Sequence, residues 1–189
     1  MKSLTILKAV TLAMLFFVAC QPRKKQEDST EIAKERNDEI FEDKEDENDA
    51  DFIVNAIAAN FAEINLAKLA SNKSNDVLVT NLAKMLETDH TKVLHDLQVY
   101  ASKKGIAEPT SETNDAVEAL KDLTQEDAKD FDRKWCDKLK DNHKKSIRKF
   151  ESRMNKTEDI ELRNLISSTL PNLKNHLEMI EKEYDRLKL

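Results

Sequence analysis

From about residue 50 onward, apolar residues recur at intervals of three and four positions, which is the repeat of an amphipathic α-helix. This repeat predicts four long helices, over residues 50–71, 75–104, 125–155 and 158–187. Gly105 and Pro109 should end the second helix, and Thr124 should cap the third. A shorter helix is predicted over 114–123. The pattern indicates an all-α fold, an antiparallel four-helix bundle with a short extra helix between helices 2 and 3.

The fourth predicted helix has the most regular apolar positions. Their spacing alternates between four and three, as in coiled coils and helical bundles, over Ile166, Leu170, Leu173, Leu177, Ile180, Tyr184 and Leu187. Pro171 lies inside this helix and cannot donate a backbone hydrogen bond, so a kink is expected there. Such a kink would help His176, which lies beside the apolar positions, to reach the interior.

The first twenty residues have a different pattern. Lys2 and Lys8 precede an apolar run of eleven residues, 9–19, which is typical of a signal peptide and short for a membrane span. Ala19 before Cys20 resembles the cleavage site of bacterial lipoproteins, at which the cysteine is lipidated and becomes the N-terminus. An ordinary secretory signal with an incidental cysteine is the alternative. The resemblance implies export and a lipid anchor at Cys20 in a membrane of the cell envelope, the outer membrane in our interpretation.

Residues 21–50 carry 18 charged side chains among 30 residues and have few apolar ones. A segment of this composition buries too little apolar surface to offset the entropy lost on ordering. We therefore expect a flexible, solvated tether over 21–50, followed by a bundle domain over 51–189. A short helix at about Thr30–Phe41 would have little to pack against.

The composition agrees with a helical fold and narrows the function. The chain has one glycine, and its net charge is −6 with no basic stripe, so nucleic acid is not an expected partner. It has no glycine-rich phosphate loop, nucleophile elbow or Cys-x-x-Cys motif, which argues against an enzyme. Cys136 would be the only thiol left after cleavage at Cys20, and it is expected to be a packed core residue.

Each long helix carries a polar residue where its pattern calls for an apolar one. These residues are Glu63, Asp89 with the adjacent His90, His143 and His176. Burial of such groups costs several kcal/mol unless they are paired or bound to a metal. Imidazole and carboxylate together suit Zn, Fe, Mn, Cu or Ni, so the five residues form a candidate transition-metal site. His95 lies on a mostly polar helix face and is expected to be exposed.

Two interpretations of these polar residues remain open. One is a single transition-metal site that uses some of them. The other is a metal-free network of Asp–His and Glu–His pairs that fixes the register of the helices. A two-iron centre is disfavoured, because Glu87 and His90 form one Glu-x-x-His motif but Lys140 and Leu173 occupy the corresponding positions before His143 and His176.

Four stretches resemble the domain of unknown function 4142 family of exported bacterial proteins. They are DFIVNAIAANFAEINLAKLAS (51–71), KMLETDHTKVLHDLQVYASKKGI (84–106), FDRKWCDKLKDNHKKSI (131–147) and LPNLKNHLEMI (170–180). The most specific marks are Glu63, Asp89-His90, Phe131-Asp132, His143, Leu170-Pro171 and His176-Leu177, and Trp135 stands where tyrosine is expected. The resemblance implies a ferritin-like four-helix fold and carries no established activity.

Two functions follow as expectations. The first is a non-enzymatic, lipid-anchored helical bundle of the bacterial cell envelope with a binding or structural role, for which another envelope protein is a candidate partner. The second is a transition-metal-binding, ferritin-like protein with a site between helices that is built from histidine, aspartate and glutamate. The sequence identifies no other cofactor.

Overall fold

The computed structural model describes residues 27–188, which form six α-helices and no β-strand. The helices are α1 Ser29–Ile40, α2 Lys44–Lys73, α3 Val77–Lys104, α4 Asn114–Gln125, α5 Ala128–Met154 and α6 Ile160–Arg186. Short polar side chains accept backbone N–H groups at most helix starts, as Asp43, Asp76 and Asp159 do. Gly105 ends α3 with a φ of 70°, a left-handed conformation that glycine adopts at little cost.

The predicted long helices and the short helix between them are confirmed, with ends that differ by a few residues. The prediction that Thr124 caps the helix after it is wrong. Thr124 lies in the last turn of α4, where its hydroxyl donates to the Leu120 carbonyl, and Asp127 takes the capping position of α5. The helix α6 continues through Pro171 from Ile160 to Arg186.

The four long helices pack in pairs that contact each other along their sides. The closest pairs are α2 with α3 and α5 with α6, and α2 also contacts α5 while α3 contacts α6. Lys103 near the end of α3 forms an ion pair with Glu161 at the start of α6, with an N–O distance of 2.7 Å. Arg186 at the end of α6 reaches Asp76 at the start of α3, also at 2.7 Å.

Part of the expected tether is ordered. The helix α1 lies within it, and α2 begins at Lys44. Asn37 is fully buried and pairs with the backbone of Ala107, donating to its carbonyl at 3.1 Å and accepting from its N–H at 2.7 Å. Ala33 enters the hydrophobic core. The expectation of a solvated coil is thus wrong from Ser29 onward, because a few small and polar side chains fasten this charged segment to the α3–α4 connection.

The hydrophobic core consists of two apolar clusters. The first includes Ile64 of α2, Val93 of α3, Ile147 of α5 and Leu173 of α6. The second includes Ala67, Leu86, Leu139 and Ile180 of the same four helices. On α3, α5 and α6 a buried histidine lies in the sequence between the members of the two clusters, which places a polar layer between them.

Among the residues that the structure describes, only α2 has the length and apolar composition of a membrane-crossing helix. Two thirds of its apolar window is buried inside the protein, as in the core helix of a globular domain. The predicted signal peptide and Cys20 lie outside the described residues.

Candidate metal centre

Three histidines from three helices meet in the polar layer. His90 of α3, His143 of α5 and His176 of α6 are each at most 3% exposed. Their ring centroids are 5.3 to 5.6 Å apart, and one nitrogen of each ring lies within 4.8 Å of a nitrogen of each other ring. The structure thus brings together three of the five residues that the sequence suggested for one interior site.

One nitrogen of each ring, here called the outer nitrogen, forms a hydrogen bond with a different acceptor. His90 Nδ1 lies 2.9 Å from Asn60 Oδ1, and since the Asn60 amide nitrogen donates to the Ala56 carbonyl, that oxygen must accept. His143 Nδ1 donates to the Leu139 carbonyl at 3.0 Å. His176 Nε2 donates to Asp89 Oδ2 at 2.9 Å. Each contact fixes the tautomer of its ring, because the proton must lie on the outer nitrogen.

In the neutral form of each ring, the second nitrogen is therefore a bare acceptor. His90 Nε2, His143 Nε2 and His176 Nδ1 are buried and have no hydrogen-bond partner among the described residues. Burial, together with the neighbouring rings, holds the pKa of His90 well below its usual value and lowers the pKa of His143 to about 4. These two rings are thus neutral near pH 7, which is the form of histidine that binds metals.

Glu63 of α2 lies beside the three histidines. Its Oε1 accepts a hydrogen bond of 2.8 Å from Asn142, and its Oε2 lies 3.8 Å from His143 Nδ1 and has no hydrogen-bond partner. Burial raises the pKa of the Glu63 carboxyl to about 7. Glu63 also lines a groove of about 670 Å³ between α2, α4 and α5. It therefore connects the histidine layer with the surface, although it does not belong to the group of three nitrogens.

The remaining predicted residues have separate positions. Asp89, with a side chain 42% exposed, holds His176 from outside instead of facing the other rings. His95 is exposed, as expected. Cys136 is fully buried in the second apolar cluster, where burial raises the pKa of its thiol to about 12. Two supporting residues were missed, Asn60 as the acceptor for His90 and Asn142 as the donor to Glu63.

The arrangement has the parts of a three-histidine metal site. Three imidazoles that are each held through one nitrogen suit Zn²⁺, Cu²⁺, Ni²⁺ or Fe²⁺, whereas Mg²⁺ and Ca²⁺ prefer oxygen ligands. The outer acceptors on Asn60, Leu139 and Asp89 are of the kind that orients metal-binding histidines in known sites. Three protein ligands leave a coordination position for water or for a further group.

The raised pKa of Glu63 predicts that the stability of the metal-free protein depends on pH. The Glu63 carboxyl has a pKa of 4.5 in the unfolded chain and of about 7 in the folded protein. Burial of its charge therefore lowers the free energy of unfolding only as the pH rises above 4.5. Glu63→Gln should therefore raise the free energy of unfolding by about 1–3 kcal/mol at pH 8 and change it little at pH 4.5. Urea unfolding with a chelator present measures both values.

The exposed Glu178 offers a matched control, and Glu178→Gln should change neither value. An equal increase in the free energy of unfolding for Glu63→Gln at both pH values would contradict the conclusion that the buried Glu63 carboxylate destabilises the folded protein.

Comparison with known families gives one match. A family model described as "Domain of unknown function (DUF4142)" matches residues 35–182. This range contains the three histidines, Glu63 and their supporting residues. Neither the curated proteins nor the solved structures contain a match to the chain.

Proposed function

The chain belongs to the DUF4142 family, whose description assigns no function, and we propose from the histidine layer that it is a transition-metal-binding protein. One divalent ion would be held by His90, His143 and His176, each from a different helix. The observation that carries this proposal is the group of three buried imidazole nitrogens that have no partner and share one interior position.

The cost of burial supports a ligand at this position. A buried polar atom without a hydrogen bond costs about 1–3 kcal/mol, and three of them occur here side by side. Hydrogen bonds among neutral rings would require protons on the facing nitrogens, but the single proton of each neutral ring is committed to Asn60, Leu139 or Asp89. A metal ion satisfies all three lone pairs at once.

The charge of the site favours a transition metal over a main-group cation. Imidazole ligands add no negative charge to a buried divalent ion. Glu63 of α2 is a buried carboxylate with Oε2 3.8 Å from His143 Nδ1, and it would supply a counter-charge. Its pKa of about 7 would fall next to a cation, because the ion favours the charged carboxylate.

We also propose a ferritin-like four-helix bundle as the scaffold. In sequence order, α2 and α6 pass from the first apolar cluster to the second, whereas α3 and α5 pass from the second to the first. Neighbouring helices would then be antiparallel, and the connection that includes α4 would cross the length of the bundle, as the single long crossover does in ferritin-like folds. Glu161 at the start of α6 forms an ion pair with Lys103 near the end of α3, and Asp76 at the start of α3 forms one with Arg186 at the end of α6. Both ion pairs support this topology.

Metal analysis tests the proposal directly. The purified protein is stripped with a chelator, incubated separately with Zn²⁺, Cu²⁺, Ni²⁺ and Fe²⁺, desalted and analysed for bound metal. We expect one ion per chain for at least one of these metals, and the same ion should raise the melting temperature, since a ligand that binds only the folded state stabilises it. His143→Ala should lose both effects.

The exposed His95 gives the control, and His95→Ala should retain the metal and the rise in melting temperature. Retention of none of the four metals by the natural protein would reject the proposal and leave the metal-free network as the explanation of the histidine layer. Export and a lipid at Cys20 stay predictions from the first twenty residues, and they are compatible with either outcome.

A further inference from the structure

A second feature lies on the outside of the helices, where α2, α4 and α5 border the groove of about 670 Å³. Its α2 side consists mainly of small and apolar residues, among them Phe52, Ala59 and Leu66. Its α5 side carries a row of cations. The three histidines do not line this groove, although Glu63 beside them does.

The residues on both sides of the groove follow the spacing of helix-packing surfaces. The α2 side uses intervals of three and four over Phe52, Asn55, Ala59, Ala62 and Leu66. The α5 side alternates intervals of four and three over Lys138, Asn142, Lys145, Lys149 and Ser152, and Lys156 follows just after the helix. Positions spaced in this way form a surface on which a third helix can pack. The alanine side chains are small enough to let the backbone of that helix approach closely. The neighbouring α4 is already packed against α2 and α5.

Five of the six cations that line the groove form no ion pair within residues 27–188, whereas the sixth, Arg153, pairs with Asp49 and Glu45. The carboxylates that line the groove are Glu63 and Asp115. The five cations without an ion pair are Lys138, Lys145, Arg148, Lys149 and Lys156. Other lysines of α5 do form such pairs, Lys134 with Glu126, Lys140 with Asp137 and Lys144 with Glu181. In a chain with an excess of acidic residues, this contrast marks the groove as a surface that suits an anionic partner.

We propose that the groove binds an acidic amphipathic helix of a partner protein. From Lys138 to Lys149 the unpaired cations extend over 11 positions of α5, about 16 Å along the helix axis, and Lys156 follows just after the end of this helix. A partner helix with an apolar stripe on Ala59 and Ala62 and with acidic residues along its flank would meet all of them. A fatty acid would place its single charge at one end of the row and leave the other cations without partners.

A pair of labelled peptides tests this assignment. Both have 18 residues and an alanine–leucine stripe at intervals of three and four, and their flanking positions carry glutamate in one peptide and lysine in the other. Fluorescence anisotropy with the full chain should detect the glutamate peptide alone, and its affinity should fall as salt is added. Lys145→Glu combined with Lys149→Glu should weaken its binding at least about tenfold.

Lys92→Glu on the exposed side of α3 provides the matched control and should leave the affinity unchanged. The melting temperature and the metal content of each variant show that the fold persists. Failure of the glutamate peptide to bind, equal binding of both peptides, or unchanged binding to the double variant would overturn the proposal. Saturable binding of laurate that the double variant loses, without binding of the peptide, would overturn it in favour of a fatty acid. None of these results depends on whether the histidine layer holds a metal.

Discussion

His176→Ala should lower the affinity for the bound metal about 100-fold or more, whereas Asp89→Asn should lower it only about tenfold. The difference follows from their positions, because His176 offers a bare nitrogen to the ion and Asp89 only holds the other nitrogen of that ring. Loss of an outer acceptor typically costs 10–100-fold in metal affinity, and loss of a ligand costs more. Competition with a chromophoric chelator measures both affinities.

His95→Ala again serves as the reference, since His95 is exposed and lies on the same helix as Asp89. Equal losses for His176→Ala and Asp89→Asn would show that Asp89 is itself a ligand, as the sequence suggested. A metal affinity that neither substitution alters would place the bound ion elsewhere in the chain.

Asp49→Ala should destabilise the protein by about 3–5 kcal/mol. Asp49 of α2 accepts from the Arg153 guanidinium of α5 through one oxygen and from the Thr157 hydroxyl, at 2.8 Å, through the other. Arg153 is 7% exposed, so the substitution would leave a buried cation with Glu45 as its remaining acidic partner. Denaturant unfolding in the absence of metal measures the loss.

The double variant Asp49→Ala with Arg153→Met should recover much of that stability, because it removes the unpaired charge and keeps an apolar side chain of similar length. Desolvation by burial raises the pKa of Asp49 more than the Arg153 guanidinium lowers it. The ion pair itself is therefore not expected to contribute a large net stabilisation. Additive losses from the two single substitutions would contradict the coupling between these residues.

The three histidines could be predicted because each interrupts an otherwise apolar helix stripe. Their meeting point follows from helix periodicity and from the need to bury four amphipathic faces together. Glu63 and Asp89 interrupt their stripes in the same way, yet the structure gives them other positions. Periodicity identifies the face on which a residue lies, whereas the rotamer and the neighbouring helices decide whether its side chain points at the shared position or at its rim.

The network of Asp49, Arg153 and Thr157 left no such signal. Asp49 lies in a stretch of mostly charged residues, and its partners follow more than 100 positions later. Nothing in a helical repeat distinguishes an aspartate that meets a buried arginine from one that faces water. The same holds for Asn37, whose two hydrogen bonds to Ala107 join positions 70 residues apart.

The position of α1 has a consequence for the stability of shortened chains. A polypeptide that starts at residue 51, where the apolar repeat begins, would lack Asn37 and leave both backbone groups of Ala107 without their partner. A start at residue 35, the first position of the family match, would keep Asn37 but remove Ala33 and the capping carboxylate of Asp28. We therefore expect a chain that begins at Asp28 to be more stable than one that begins at residue 35 or 51, although Asp28 lies well inside the stretch whose composition resembles an unstructured spacer.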